Sequence, residues 1–172
     1  MGTAALTVVQ IGHIVVLNGP SSAGKTTLAS AVRARVGPTL AIVSIDQLFP
    51  SMHPVLPTSW HVFATLTDVV FRCAAAIADG GFEVVVDTVF ERDRCIGIMQ
   101  SALGERPFSL VAVTAPKHVL EARERERGDR RIGQAHDQHA RVLHGIHYDA
   151  RLDTHTQPIE TCVDAVVGLL HR

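Results

Sequence analysis

A chain of 172 residues, 47% hydrophobic and 19% charged, is long enough for one α/β domain with its own core and too apolar to be disordered. Its formal net charge of -1 sets aside a nucleic-acid coat or a polybasic membrane binder, so no nucleic-acid partner is expected. Three scattered cysteines, Cys73, Cys95 and Cys162, lack any zinc or redox spacing and read as reduced thiols of a cytoplasmic protein. The first residues have no basic stretch of the secretory kind, and Leu6 stands where a myristoylation motif wants Ser or Thr. No apolar run reads as long enough to span a bilayer.

Strand and helix patterns alternate along the whole chain. His13 to Asn18 is a β-branched run of the kind buried in parallel sheets. It feeds a glycine-containing loop, Gly19 to Lys25, and then a helix from Thr26 to Val36 that Gly37-Pro38 stops. Leu40 to Ile45 is a second strand ending at Asp46. A turn-rich connector with Pro50, Pro54 and Pro57 follows, and Ser59 is placed to cap a long helix. In that helix Val62, Phe63, Leu66, Val69, Val70, Cys73 and Ile77 share a face, and Asp79-Gly80-Gly81 ends it. Phe82 to Val86 is a third strand ending at Asp87, Glu91 to Leu103 a helix, and Phe108 to Thr114 a fourth strand. Pro116 opens a helix through Arg127, Gln134 to His147 forms another, Ala150 to Asp153 is a fifth strand, and Pro158 to Leu170 a closing helix. Strands separated by helix-length segments imply a parallel sheet covered on both faces, with ligands beyond the strands' carboxyl ends. The loop at Gly19, Asp46 and Asp87 all fall at that edge. The expected architecture is a three-layer P-loop NTPase fold, a five-stranded parallel sheet of the nucleoside or shikimate kinase type, in one domain over residues 1–172.

Gly19-Pro-Ser-Ser-Ala-Gly-Lys-Thr26 matches the phosphate-loop pattern in full and lies between a strand and a helix. Glycines let the backbone wrap an anion, and successive N–H groups at a helix start attract phosphate. Gly19, Ser21, Ser22, Ala23, Gly24, Lys25, Thr26 and Thr27 are therefore the expected nucleotide-binding residues. Lys25 is expected to reach the β- and γ-phosphates, while the Thr26 hydroxyl and Asp87 are expected to hold magnesium. Asp46 is the candidate base: a carboxylate at this edge accepts the proton of an acceptor hydroxyl and orients its oxygen, although an ordinary turn aspartate has the same pattern. Arg123, Arg125, Arg127, Arg130 and Arg131 crowd one segment among acidic residues. Ion pairing on a solvated helix accounts for some of them; a lid over roughly residues 123–138 that screens the transferring phosphoryl from water accounts for the rest.

Read together, Ile14 to Thr26, Ser44-Ile-Asp46, Val84 to Phe90, Glu124-Arg-Glu-Arg-Gly-Asp-Arg130, Gln138, His144, Tyr148-Asp149 and Leu152-Asp-Thr154 resemble the chloramphenicol phosphotransferase-like family of P-loop kinases over nearly the whole chain. The resemblance implies ATP and magnesium as cofactors, Asp46 as base, Arg123, Arg127 and Arg130 as lid arginines, and a loop near Thr154 beside the adenine. Asp87-Thr88 stands where the chloramphenicol enzyme often has two acidic residues, and the connector after Asp46 is short, so the chemistry carries over but chloramphenicol as the acceptor does not.

No Lys or Arg occurs between Leu40 and Phe71, where Phe49, Met52, His53, Trp60 and Phe63 fall instead. That favours a neutral hydroxyl compound, an antibiotic among the possibilities, over an acidic one needing an arginine clamp. Arg92 and Arg94 keep an acidic acceptor open. The competing readings are a P-loop kinase of a macromolecular acceptor and a nucleotide-dependent switch or binding module.

Overall fold

The computed structural model describes residues 10–52, 59–90, 93–127, 133–139 and 141–172. Five strands, β1 (Ile14–Asn18), β2 (Leu40–Ser44), β3 (Glu83–Thr88), β4 (Phe108–Thr114) and β5 (Ala150–Asp153), form one sheet in the order β2-β3-β1-β4-β5. Every pairing is parallel. The helices are α1 (Lys25–Val36), α2 (Ile45–Met52), α3 (Trp60–Asp79), α4 (Asp93–Leu103), α5 (Lys117–Arg127), α6 (Gln134–His139) and α7 (Ile159–Leu170).

Two alternating sets of side chains give the sheet its two covered faces. Val15, Leu17, Val85, Val111, Val113 and Leu152 pack with residues of α1 and α7, such as Leu28, Val32, Val166 and Leu169. Ile14, Val16, Val43, Val84, Val86 and Leu110 pack on the other face with Val70, Phe71, Ala74, Met99 and Leu103 of α3 and α4. Every residue of β1 is buried, which is why this strand reads as an unbroken apolar run up to Asn18.

Three sequence expectations change. The second strand stops at Ser44, and Asp46 lies in the first turn of a helix, α2, where a connector was expected. Ile45, Leu48, Phe49 and Met52 recur at helical spacing, and the helix forms although Pro50, its sixth residue, lacks the N–H that would close an i to i−4 bond. The helix expected from Gln134 to His147 ends at His139. The carbonyl of Val142 accepts from the Asn18 amide, and Gly145 takes a φ of 72°, so the chain turns away. Finally, α3 is a membrane-span candidate by length and composition, with 20 residues and a mean hydropathy of 1.4. Leu66, Val70, Phe71, Ala74, Ala75 and Ala78 of this helix are buried, five of them against the sheet's second face.

Candidate active site

The loop after β1 owes its shape to two glycines. A Cβ on Gly19 would stand 1.9 Å from the carbonyl oxygen of Val113, so only glycine lets the chain pass the end of β4. Gly24 caps α1 with a φ of 87°, in the left-handed region that glycine tolerates. Between them Ser22, not a glycine, holds a φ of 62°. Lys25 is buried, and its Nζ donates to the carbonyls of Gly19 and Pro20 at 2.9 Å each. Those acceptors hold the ammonium across the loop it belongs to, since an ammonium out of water needs partners.

In the next turn, the Thr26 hydroxyl donates to Asp87 Oδ2 at 2.7 Å. Register explains this meeting: Asp87 lies beside Leu17 on one side and Ser44 on the other, at the carboxyl end of the sheet. Asp87 is buried, whereas Thr26 and Thr27 are exposed on the first turn of α1. Asp46 is exposed two residues beyond Ser44, so it rises from the same edge one strand further out. As an acid in the first turn of α2 it is favoured by the helix dipole.

Arg123 and Thr154 meet behind the loop. Arg123 Nη1 donates to Thr154 Oγ1 at 2.9 Å and to the Ser22 carbonyl at 3.4 Å, and Nη2 donates to the Thr154 carbonyl at 3.2 Å. The Thr154 hydroxyl in turn donates to the Ala23 carbonyl at 2.9 Å. Asp153 beside it accepts from the N–H groups of His155 and Thr156; burial opposes its ionisation, but these bonds prevail and hold its pKa below the ordinary value. The side chain of Arg127 and the whole of Arg130 lie outside the described residues, as do His53, Pro54, Pro57, Arg92 and the side chains of Phe49, Met52 and Arg94.

Three buried polar residues complete the surroundings, and sequence reasoning gave none of them a role. Gln138 Oε1 accepts from the Ser21 N–H at 2.8 Å. Asn18 Oδ1 accepts from the Phe90 N–H at 2.8 Å, while its Nδ2 donates to the Tyr148 hydroxyl at 2.7 Å and the Val142 carbonyl at 3.2 Å. Burial raises the Tyr148 pKa against the opposing pull of Asn18 and Arg151, so the hydroxyl stays neutral. Glu124 accepts from the N–H groups of Gly133 and Ala135 at 2.7 and 2.9 Å. The available signal was a polar residue closing an apolar strand for Asn18, and position within the resemblance for Gln138 and Glu124.

The donor set fits the expected ligands. Thr26 Oγ1 and Asp87 Oδ2 are hard oxygen donors, the type magnesium prefers, held together at the mouth of the loop. The Ser22 hydroxyl is the one buried side-chain polar atom without a hydrogen-bond partner among the described residues, an orphan within a loop built for an anion.

A phosphate loop at the start of α1, an acid at the end of β3 and an all-parallel 2-3-1-4-5 sheet define a P-loop nucleotide-binding protein with the kinase fold. The chain belongs to the chloramphenicol phosphotransferase-like protein family, whose model matches residues 12–171. No curated protein matches it significantly in sequence. Its fold is that of the Mycobacterium tuberculosis APS kinase solved with AMPPNP and APS, with a TM-score of 0.79 at 20% identity over 94% of this chain and 98% of that one. A gluconokinase from Sinorhizobium meliloti superimposes with a TM-score of 0.67 at 17% identity over 95% and 93% of the two chains. A tunicamycin resistance protein of Deinococcus radiodurans does so with 0.68 at 17% identity over 91% and 94%. Family and fold together support a nucleotide-dependent phosphotransferase.

Proposed function

We propose that this chain is an ATP- and magnesium-dependent O-phosphotransferase acting on a hydroxyl of a small molecule. The observation that carries the reading is the 2.7 Å bond between Thr26 and Asp87 beside a lysine already held on its loop, with Asp46 rising from the same sheet edge. In this reading the loop N–H groups and Lys25 hold the nucleotide phosphates, and Thr26 and Asp87 hold the metal. Bound magnesium would neutralise charge on the phosphoryl group as it transfers. Asp46 takes the proton of the acceptor hydroxyl and orients its oxygen toward the phosphorus; transfer through a loose transition state asks for position more than basicity. Arg127 and Arg130 are proposed to screen that charge from water, as their family counterparts imply.

The acceptor side supports a neutral compound. No Lys or Arg lies between Leu40 and Phe71, and Trp60 and Phe63 sit together at the start of α3 with ring centroids 5.7 Å apart. Structural neighbours named for APS and gluconate, and one for tunicamycin resistance, are consistent with a small-molecule acceptor, and a hydroxyl-bearing antibiotic belongs to that class. The test incubates the protein with ATP, magnesium and a panel of hydroxyl-bearing antibiotics and metabolites, and seeks a mass gain of one phosphoryl group. Native protein should modify a compound that Asp46→Asn and Lys25→Ala leave unmodified. Modification that survives Asp46→Asn would remove the base role, and a silent panel with tight ATP binding would favour the switch reading.

A further inference from the structure

We propose that Gln138 is a positioning residue for the phosphate loop, tying nucleotide affinity to the α5–α6 unit; the proposal rests on the nucleotide-binding part of the reading above. The loop is held from behind at three places. Arg123 of α5 grips the Ser22 carbonyl and Thr154. Gln138 of α6 holds the Ser21 N–H at 2.8 Å, and both residues are buried. Asn18, the residue before Gly19, binds the Val142 carbonyl and the Tyr148 hydroxyl in the segment after α6.

The two helices are also fastened to each other. Glu124, only 1% exposed, follows Arg123 on α5 and accepts from the N–H groups of Gly133 and Ala135. Its carboxylate thus clasps the start of α6 to the body of α5, and the grip of Arg123 and the grip of Gln138 act as parts of one unit. A buried N–H left unpaired is costly, so the Ser21 peptide stays where the Gln138 oxygen puts it. Ser21 directly precedes Ser22, Ala23 and Gly24, the stretch of loop that wraps the phosphates in the proposed reading. Gln138 therefore sets the entrance of the anion nest without touching the nucleotide. Linkage makes the effect reciprocal: a nucleotide that orders the loop must also steady α5 and α6.

Gln138→Met keeps side-chain volume and removes the acceptor. Binding of magnesium with a non-hydrolysable ATP analogue is measured at equilibrium, and amide exchange is followed in residues 118–127 and 133–139 with and without it. In the native chain the analogue should slow exchange in both stretches. In Gln138→Met its affinity should fall about tenfold, the worth of one buried hydrogen bond, and at saturation the slowing in residues 133–139 should shrink markedly, with a smaller loss in 118–127, which Arg123 still ties to the loop, while the loop and α1 remain protected. Because loss of the acceptor also lowers stability, Glu124→Gln is measured beside it. That variant leaves Gln138 in place and weakens the clasp, and coupling requires weaker binding there too. An affinity within twofold of native in either variant, or undiminished slowing of residues 133–139 in saturated Gln138→Met, would overturn the proposal. A native chain that fails to bind the analogue would instead sink the phosphotransferase reading.

Discussion

Ser22 carries two energetic costs at once, and its replacement should make the unliganded protein more stable. Its φ of 62° places an L-residue in the left-handed region, at a cost of about 1–2 kcal/mol. Its hydroxyl is buried without a partner among the described residues, at a further cost of about 1–3 kcal/mol. Ser22→Ala removes the second cost and keeps the first, so a net gain of about 1 kcal/mol is expected, or about 2–4 °C in Tm for a chain of this size. Ser22→Gly also relieves the backbone but returns about 0.5–1 kcal/mol through the greater freedom of the unfolded chain, and should gain at least as much. The assay is thermal unfolding with and without magnesium and a non-hydrolysable ATP analogue. Without ligand, both variants should melt above native protein. With ligand the order should narrow or reverse, because a hydroxyl kept unpaired inside a phosphate loop is expected to donate to a phosphate oxygen. An unliganded Ser22→Ala that melts below native protein would refute the reasoning, for the hydroxyl would then have a partner in solution such as a buried water.

Two further perturbations follow from particular distances and burial. Gly19→Ala would put a Cβ 1.9 Å from the Val113 carbonyl oxygen, a backbone atom that cannot yield, so a loss of about 3 kcal/mol or more and failure to bind nucleotide are expected; a soluble, nucleotide-binding variant with native Tm would contradict the close approach. At the opposite edge of the sheet, burial is the main cause that lowers the His13 pKa below its ordinary 6.5, with Arg172 adding to it and Asp149 opposing. The unfolded chain then binds the proton more readily, so His13 contributes stability above pH 6.5 that is lost as pH falls through that value toward the lower folded pKa. Tm should decline between about pH 7.5 and 5.5, and His13→Gln, which retains a polar partner for Ser109, should flatten that decline; an unchanged slope would assign it to other groups.

Strand content, strand direction and the phosphate loop were legible in the sequence because each rests on local chemistry. The β-branched run from Ile14 reads as a buried strand, Gly19 to Thr26 matches the phosphate-loop pattern between a strand and a helix, and Asp87 closes an apolar strand at the matching end. The sequence alone also placed Asp46 at the correct edge, though on a strand rather than on α2, since a short amphipathic helix interrupted by a proline resembles a turn. Tertiary structure decided what depended on partners distant in the chain. Thr26 and Asp87 are 61 residues apart, Ser21 and Gln138 117 apart, and Arg123 and Thr154 31 apart. A buried glutamine, asparagine or glutamate has no local periodicity that announces its partner. Whether it supports a loop, a turn or a helix end is settled only when packing brings a particular N–H or carbonyl within reach.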